Sequence, residues 1–263
     1  MLPVLFSIGS FEMRTMNIFY LLAFLASGFI LWRKGREEHY EEDTLFDGFL
    51  QAFLVGGVFA RIGFIILNFS QFGFDIFKWL DVFSTTGFSG LFGFVGGTYY
   101  LYRYAHRQKW DSFEILDFWV TAMSLAFVFL SLGSFFDGTS FGLATSLPWG
   151  MVFPGVFEKY HPVQLYSAII YSGVFIYLSR IEYRYRTFMW YKSKRKSAQT
   201  GFLFCNFLII YGLVRIVLAF VSPEQFVFFN INFDWLIGFI ISISGLVLLY
   251  DRSGRELPFR KKA

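Results

Sequence analysis

The chain has 263 residues, of which 56% are hydrophobic and 23% aromatic, while only 16% are charged. A soluble core of this size cannot hide so much apolar surface. This excludes a soluble enzyme, a disordered chain and a nucleic-acid-binding domain, and leaves an integral membrane protein. The net charge of +4 fits anionic lipid rather than nucleic acid, because the basic residues cluster beside apolar runs.

A spanning helix needs about 20 mostly apolar residues. Seven stretches qualify, near 17–32, 44–69, 83–102, 113–133, 164–179, 201–221 and 233–250. The expected fold is therefore an all-α integral membrane protein, a single polytopic domain over 1–263 with seven transmembrane helices. The third stretch carries Gly87, Gly90, Gly93, Gly96 and Gly97. Such glycines serve either close helix packing or a break lining a cavity.

Connections alternate in charge. Arg33, Lys34 and Arg36 follow the first stretch, and Arg103, Arg107 and Lys109 the third. Arg180, Arg184, Arg186, Lys192, Lys194, Arg195 and Lys196 follow the fifth, in a basic loop over 180–200. Arg252, Arg255, Arg260, Lys261 and Lys262 form the tail. These eighteen lie on one side, against Arg14, Lys78 and Lys159 on the other. Positive residues stay cytoplasmic, so the N-terminus is expected outside, the C-terminus in the cytoplasm, and 137–163 as the longest outer loop. The first stretch reads as a signal anchor, since it has no basic lead and no small-residue cleavage site. A retinal pigment would want a lysine in the last stretch, and 233–250 has none.

Charge inside a span usually faces protein or a wet cavity. Asp47, Glu114 and Asp117 fall near cytoplasmic ends, where ordinary interfacial carboxylates also occur. Arg61 and Arg215 lie deeper, in the outer half. Each either snorkels to the outer interface or points into a cavity that holds an anion. Arginine suits phosphate because its planar fork binds two oxygens at once. At that depth the anion would be a phospholipid headgroup.

The outer loop ends in His161-Pro162-Val163-Gln164-Leu165-Tyr166. Pro162 can occupy the first turn of the fifth helix, which clusters His161, Gln164 and Tyr166 at its outer mouth. A lone histidine is as often a satisfied interface residue, but three hydrogen-bonding side chains at one helix start favour a site. His39 and His106 fall on the cytoplasmic side and the single cysteine, Cys205, lies in an apolar run. No metal-ligand spacing results, and no organic cofactor is implied. The glycine-rich third stretch is no phosphate loop, since no Lys-Ser/Thr follows it.

The chain resembles the bacterial prolipoprotein diacylglyceryl transferases. His161–Tyr166 is similar to that family's His-Pro-x-Gln-Leu-Tyr motif. Tyr211-Gly212-Leu213-Val214-Arg215-Ile216 is similar to its Tyr-Gly-x-x-Arg-Ile segment. Pro3–Gly9 resembles its strand-like lead-in, Arg61-Ile62-Gly63 its second span, Asp117-Phe118 the start of its fourth and Phe153-Pro154-Gly155 a turn in its outer loop. The resemblance implies a multi-pass protein of the bacterial inner membrane that moves a diacylglyceryl group from phosphatidylglycerol to a lipobox cysteine of a precursor protein. It implies that Arg215 grips phosphate, with Tyr211 and His161 beside it. Arg61, Gln164, Tyr166, Asp117 and Gly142 are the expected lipid-binding positions. The implied partners are phosphatidylglycerol or another anionic phospholipid, the lipobox precursor and the membrane.

Departures run in one direction. Where the family signature has Arg, Asn and Glu after the fourth span, this chain has Ser131, Ser134 and Thr139. The family histidine of the third span aligns with Val95, a tyrosine near the N-terminus with Met16, and a glutamate after the sixth-span arginine with Ala219. Each change removes charge or hydrogen bonding. The alternative reading is therefore a relative that binds lipid or lipoprotein, or serves as a subunit of a membrane assembly, without the chemistry.

Overall fold

The structure, a computed structural model, describes residues 2–8, 11–81, 87–184, 200–223, 227–228 and 231–252. Gly9, the start of the third expected span at 83–86, most of the basic loop 180–200 and the tail beyond Arg252 lie outside the described residues.

Among the described residues seven long helices carry the chain. They are α1 (Thr15–Glu37), α2 (Glu42–Leu67), α5 (Gly90–Arg107), α6 (Ser112–Asp137), α7 (Val163–Arg184), α8 (Phe202–Ala219) and α9 (Asp234–Arg252). Two short helices, α3 (Phe69–Phe72) and α4 (Ile76–Leu80), follow α2. Among the described residues five helices, α1, α2, α6, α8 and α9, are long and apolar enough to cross a membrane. At about 1.5 Å per residue, 18 to 26 residues make about 27 to 39 Å, the scale of a bilayer's hydrocarbon core. The helices α5 and α7 have 18 and 22 residues but four tyrosines each, which lowers their hydropathy.

Helix ends follow backbone chemistry rather than hydropathy. Within the third expected span at 83–102 the described residues are helical from Gly90, and the helix continues to Arg107. Gly87 has φ +156°, a backbone outside the helical region, and Ser89 stands at the N-cap with extended backbone. Beyond Tyr102 the arginines stay helical, because long basic side chains keep their heads in water while the backbone runs on. The fifth helix likewise runs on to Arg184.

Some connections carry short strands. The strands β1 (Val4–Ile8) and β2 (Phe11–Arg14) pair antiparallel, as do β3 (Met151–Val152) with β4 (Lys159–Tyr160), and β5 (Val227–Phe228) with β6 (Ile231–Asn232).

The chain forms two compact units, Leu31–Trp119 and the remainder, Met1–Ile30 with Val120–Ala263. In the first of these α2 packs on α5 through small residues. A methyl on Gly56 would lie 3.0 Å from the Gly93 carbonyl, and one on Gly97 3.1 Å from the Ala52 carbonyl. The glycines expected to serve either packing or a cavity break thus let two backbones approach. Trp119 closes this contact, donating to the Thr98 hydroxyl at 2.9 Å. At the other end of the unit the Tyr40 hydroxyl donates to the Glu114 carboxylate, and the Tyr104 hydroxyl to the Thr44 carbonyl at 2.9 Å.

In the larger unit α8 and α9 pack the same way. Gly212 meets Gly238 and Ser242, Gly245 meets the Cys205 carbonyl, and Ser242 donates to the Ile209 carbonyl at 3.1 Å. The N-terminal hairpin docks on the end of α6: Leu2 N–H donates to the Phe136 carbonyl at 3.0 Å, and Thr15 N–H to the Pro3 carbonyl.

Candidate functional site

Six of the eight residues singled out in the sequence fall in the larger unit. Arg215 and Tyr211 sit one turn apart on α8. An i, i+4 spacing puts both side chains on one face. Tyr211 is buried in an aromatic box, stacked on Phe127 at 5.9 Å and on Phe207 at 5.7 Å, with Tyr171 at 6.4 Å. Phe127 in turn meets Tyr171 at 5.1 Å. Beside this apolar wall the Arg215 guanidinium reaches the carboxylate of Asp234 at 3.4 Å, and both side chains are largely buried. At 3.4 Å the contact is longer than a good charge-assisted hydrogen bond, which lies near 2.7–2.9 Å. Asp234 opens α9, where the helix's positive end also stabilises an anion.

His161, Gln164 and Tyr166 do gather at the mouth of α7. His161 Nδ1 lies 3.4 Å from the Tyr166 hydroxyl. The His161 backbone is locked into a small ribbon. It donates to the Leu143 carbonyl at 3.0 Å and accepts from Gly142 N–H and Val163 N–H, each at 2.8 Å. Leu143 N–H donates to the Val221 carbonyl at 2.8 Å, just beyond α8. The ribbon thus ties the histidine segment to the C-terminal end of the arginine helix. Gly142 is where these backbones meet. A methyl there would run into the Val221 carbonyl and lie 2.6 Å from Val163 and 2.8 Å from His161 Cβ, so the position excludes a side chain.

Gln164 is buried, and its Nε2 donates to the Thr139 carbonyl at 2.6 Å. That bond fixes the amide, because the reversed orientation would set oxygen against oxygen. Its Oε1 is then buried with no hydrogen-bond partner among the described residues. A buried acceptor left this way is costly and suits a ligand that brings a donor.

Ser131 and Ser134, where the resemblance expects Arg and Asn, lie on α6 in the same unit. Ser131 donates to the Phe127 carbonyl of its own helix at 2.7 Å, and Ser134 reaches the Met16 sulfur at 4.0 Å. One turn on, Asp137 takes a two-pronged contact from Arg14, at 3.0 and 3.3 Å. The Asp137 side chain is 4% exposed and that of Arg14 48%, so the pair leaves its guanidinium half-exposed.

Arg61 and Asp117 belong to the smaller unit. Arg61 is buried, and its nitrogens donate to backbone carbonyls: Trp79 at 3.1 Å, Lys78 and Gly87 at 3.2 Å, and Asp81 at 3.0 Å. Asp117 is half-buried in the second turn of α6.

The sequence reading missed Asp234, Arg14–Asp137 and the aromatic box. Asp234 had a signal, an acid at the first position of an apolar run. Arg14 and Asp137 are 123 residues apart, and no local pattern pairs them.

The family model for prolipoprotein diacylglyceryl transferase matches residues 3–250. Three curated relatives carry the name phosphatidylglycerol–prolipoprotein diacylglyceryl transferase. That of Photobacterium profundum is 31% identical, over 83% of this chain and 79% of its own length. That of Aliarcobacter butzleri is 29% identical, over 94% and 90%. That of Clostridium tetani is 27% identical, over 85% and 86%. With nearly the whole length matched and the helices in place to cross a bilayer, the chain belongs to the prolipoprotein diacylglyceryl transferase family of multi-pass bacterial inner-membrane proteins.

Proposed function

We propose that this chain moves the diacylglyceryl group of phosphatidylglycerol onto the lipobox cysteine of a precursor protein, from a single membrane domain of seven spans with the N-terminus outside and the C-terminus in the cytoplasm. The observation that carries the reading is Arg215, a guanidinium on an apolar helix beside an aromatic wall, in a chain matched to the family over residues 3–250.

The chemistry asks for two things. The cysteine sulfur, as thiolate, attacks the glyceryl carbon that bears the phosphate. A carbon–sulfur bond forms, the carbon–oxygen bond breaks, and glycerol phosphate leaves with the electron pair and one more negative charge. Arg215 meets that growing charge, where a fixed cation stabilises the transition state more than the ground state. Asp234 holds the guanidinium in place beforehand, at a distance loose enough for phosphate to compete. The thiol proton goes to His161, whose ring is oriented by Tyr166. Tyr211 packs the acyl-facing side. Gln164 offers its buried Oε1 to a headgroup hydroxyl, and Gly142 keeps the ribbon tight. In the smaller unit Asp117 is a lipid-binding position, and Arg61 holds the carbonyls of Lys78, Trp79, Asp81 and Gly87.

A second reading is favoured by one observation. Ser131 and Ser134 are satisfied by a carbonyl and a sulfur, so the positions that carry polar signature residues in the family hold no charge here. A lipid- or lipoprotein-binding relative, or a subunit of a membrane assembly, fits that pattern.

The test is a reconstituted assay with labelled phosphatidylglycerol liposomes and a lipobox precursor. Label should appear on the precursor with release of glycerol phosphate. Arg215→Ala should lower the rate by about 10²–10³, as loss of one transition-state donor does. Phospholipid binding with no labelled precursor would replace the enzymatic reading with the second one.

A further inference from the structure

The segment after α2 combines two features that the transferase reading does not use. It is strongly apolar where it is exposed, and its backbone is held by a buried cation. Phe74 is 87% exposed, Phe77 86%, Leu80 75% and Ile76 64%, with Phe69 exposed as well. A water-facing surface rarely carries such a cluster. Yet α3 and α4 have four and five residues, far short of the roughly 20 that a span needs.

The surface it continues is known. On α2 the exposed apolar residues Leu54, Val58, Ile62 and Ile66 recur every four residues, one stripe of a helix that crosses a membrane. That stripe runs directly into Phe69, two residues beyond the helix end at Leu67.

Backbone left open in an apolar medium is costly, and here it is closed. Asp75 caps α4, accepting from Phe77 N–H at 3.1 Å. Gly73, at φ +54°, makes the turn between the two short helices, and its carbonyl accepts from the Trp79 indole at 3.1 Å. At the other end of α4 the last carbonyls, of Lys78, Trp79 and Asp81, all accept from Arg61. A cation there also meets the negative end of the helix. Below it the guanidinium lies 5.2 Å from the centre of the buried Phe72 ring. Ser70, Gln71, Asp75 and Lys78 are exposed polar residues in the same segment, a headgroup-compatible complement to the phenylalanines.

We propose that residues 69–81 form an interfacial foot, bedded in the headgroup–acyl boundary of the leaflet at the C-terminal end of α2, and that Arg61 is its positioning residue. The partner is bilayer lipid. Phe74, Phe77 and Leu80 enter the acyl region, and Asp75 and Lys78, 3.8 Å apart, remain at headgroup level. The inference depends on membrane insertion alone, so it stands or falls independently of transferase activity.

The experiment uses the full chain with Cys205→Ala, reconstituted in liposomes of phosphatidylglycerol and phosphatidylcholine. Single cysteines replace Phe74, Phe77 or Gln71 and carry a nitroxide. At Phe74 and Phe77 the ratio of oxygen to water-soluble nickel collisions should exceed that at Gln71 severalfold. Equal ratios would overturn the foot. Shielding at Phe77 that develops only when a lipobox precursor is added would overturn it in favour of a protein-docking surface. Arg61→Lys keeps the charge but loses the fork, and should sharpen the nitroxide spectrum at Phe77 as the segment loosens. An unchanged spectrum and depth would remove Arg61 from the proposal. If that variant does not fold, the collision ratios of the parent chain still decide the foot.

Discussion

Arg215 and Asp234 show what a single buried pair decides. The carboxylate and a lipid phosphate would compete for the same guanidinium, and the 3.4 Å separation favours neither strongly. Asp234→Asn should therefore tighten binding of anionic phospholipid several-fold, in line with removal of about 1 kcal/mol of competing interaction. It should also lower the melting temperature in detergent, because the cation loses its counter-ion when lipid is absent. Weaker lipid binding in that variant would show that Asp234 supports the anion site rather than competing for it. Tyr40, in the connection between α1 and α2, offers a pH test. Burial, then the hydrogen bond to Glu114, raises its phenol above the usual value of 10.0. The folded chain keeps a proton that the unfolded chain releases. The stabilisation is thus complete below about pH 10 and declines as pH rises through the folded value. Tyr40→Phe should be less stable by about 1–2 kcal/mol at neutral pH, and the gap to the parent should narrow above pH 10 in thermal unfolding.

At the scale of elements, helix pairs are set by small residues where backbones touch. Gly212 has no room for a methyl: Ser242 N lies 2.7 Å from its position, and the Gly238 carbonyl is closer still. Gly57, on α2, faces nothing within 4 Å. Gly212→Ala should cost about 2 kcal/mol or more by overpacking, whereas Gly57→Ala should stabilise by about 0.5–1 kcal/mol through lower chain entropy. Thermal unfolding of the two variants in detergent measures both, and equal effects would contradict the close α8–α9 contact. Seven long helices were legible from hydropathy to within a few residues, except for the start of α5. There a positive-φ glycine and a serine with extended backbone precede the boundary, and neither changes hydropathy. The ribbons β3–β4 and β5–β6 were invisible, because two-residue strands are made by pairing rather than by local pattern, whereas the strand at Val4–Ile8 was expected through the resemblance of Pro3–Gly9 to a strand-like lead-in. Gly142 was legible only through the family resemblance, while its cause, the meeting of three backbone segments, is tertiary.

For the whole molecule, the expected orientation rests on eighteen basic residues against three. A fluorescent reporter that folds only in the cytoplasm should light when fused after residue 263, and a periplasmic phosphatase reporter in the 137–163 loop should be active. The reverse pattern would overturn the orientation. The sequence by itself determined the membrane class, the long helices and the residues from which a phosphate site could be built, because partitioning into lipid sums over local composition and needs no knowledge of neighbours. It marked Arg61 and Arg215 alike, as arginines deep in apolar helices. Only the tertiary structure separated them. Arg61 meets backbone carbonyls of Lys78, Trp79, Asp81 and Gly87, while Arg215 meets the Asp234 carboxylate beside an aromatic wall. A buried guanidinium takes whatever acceptors the fold brings to it, and those come from elsewhere in the chain.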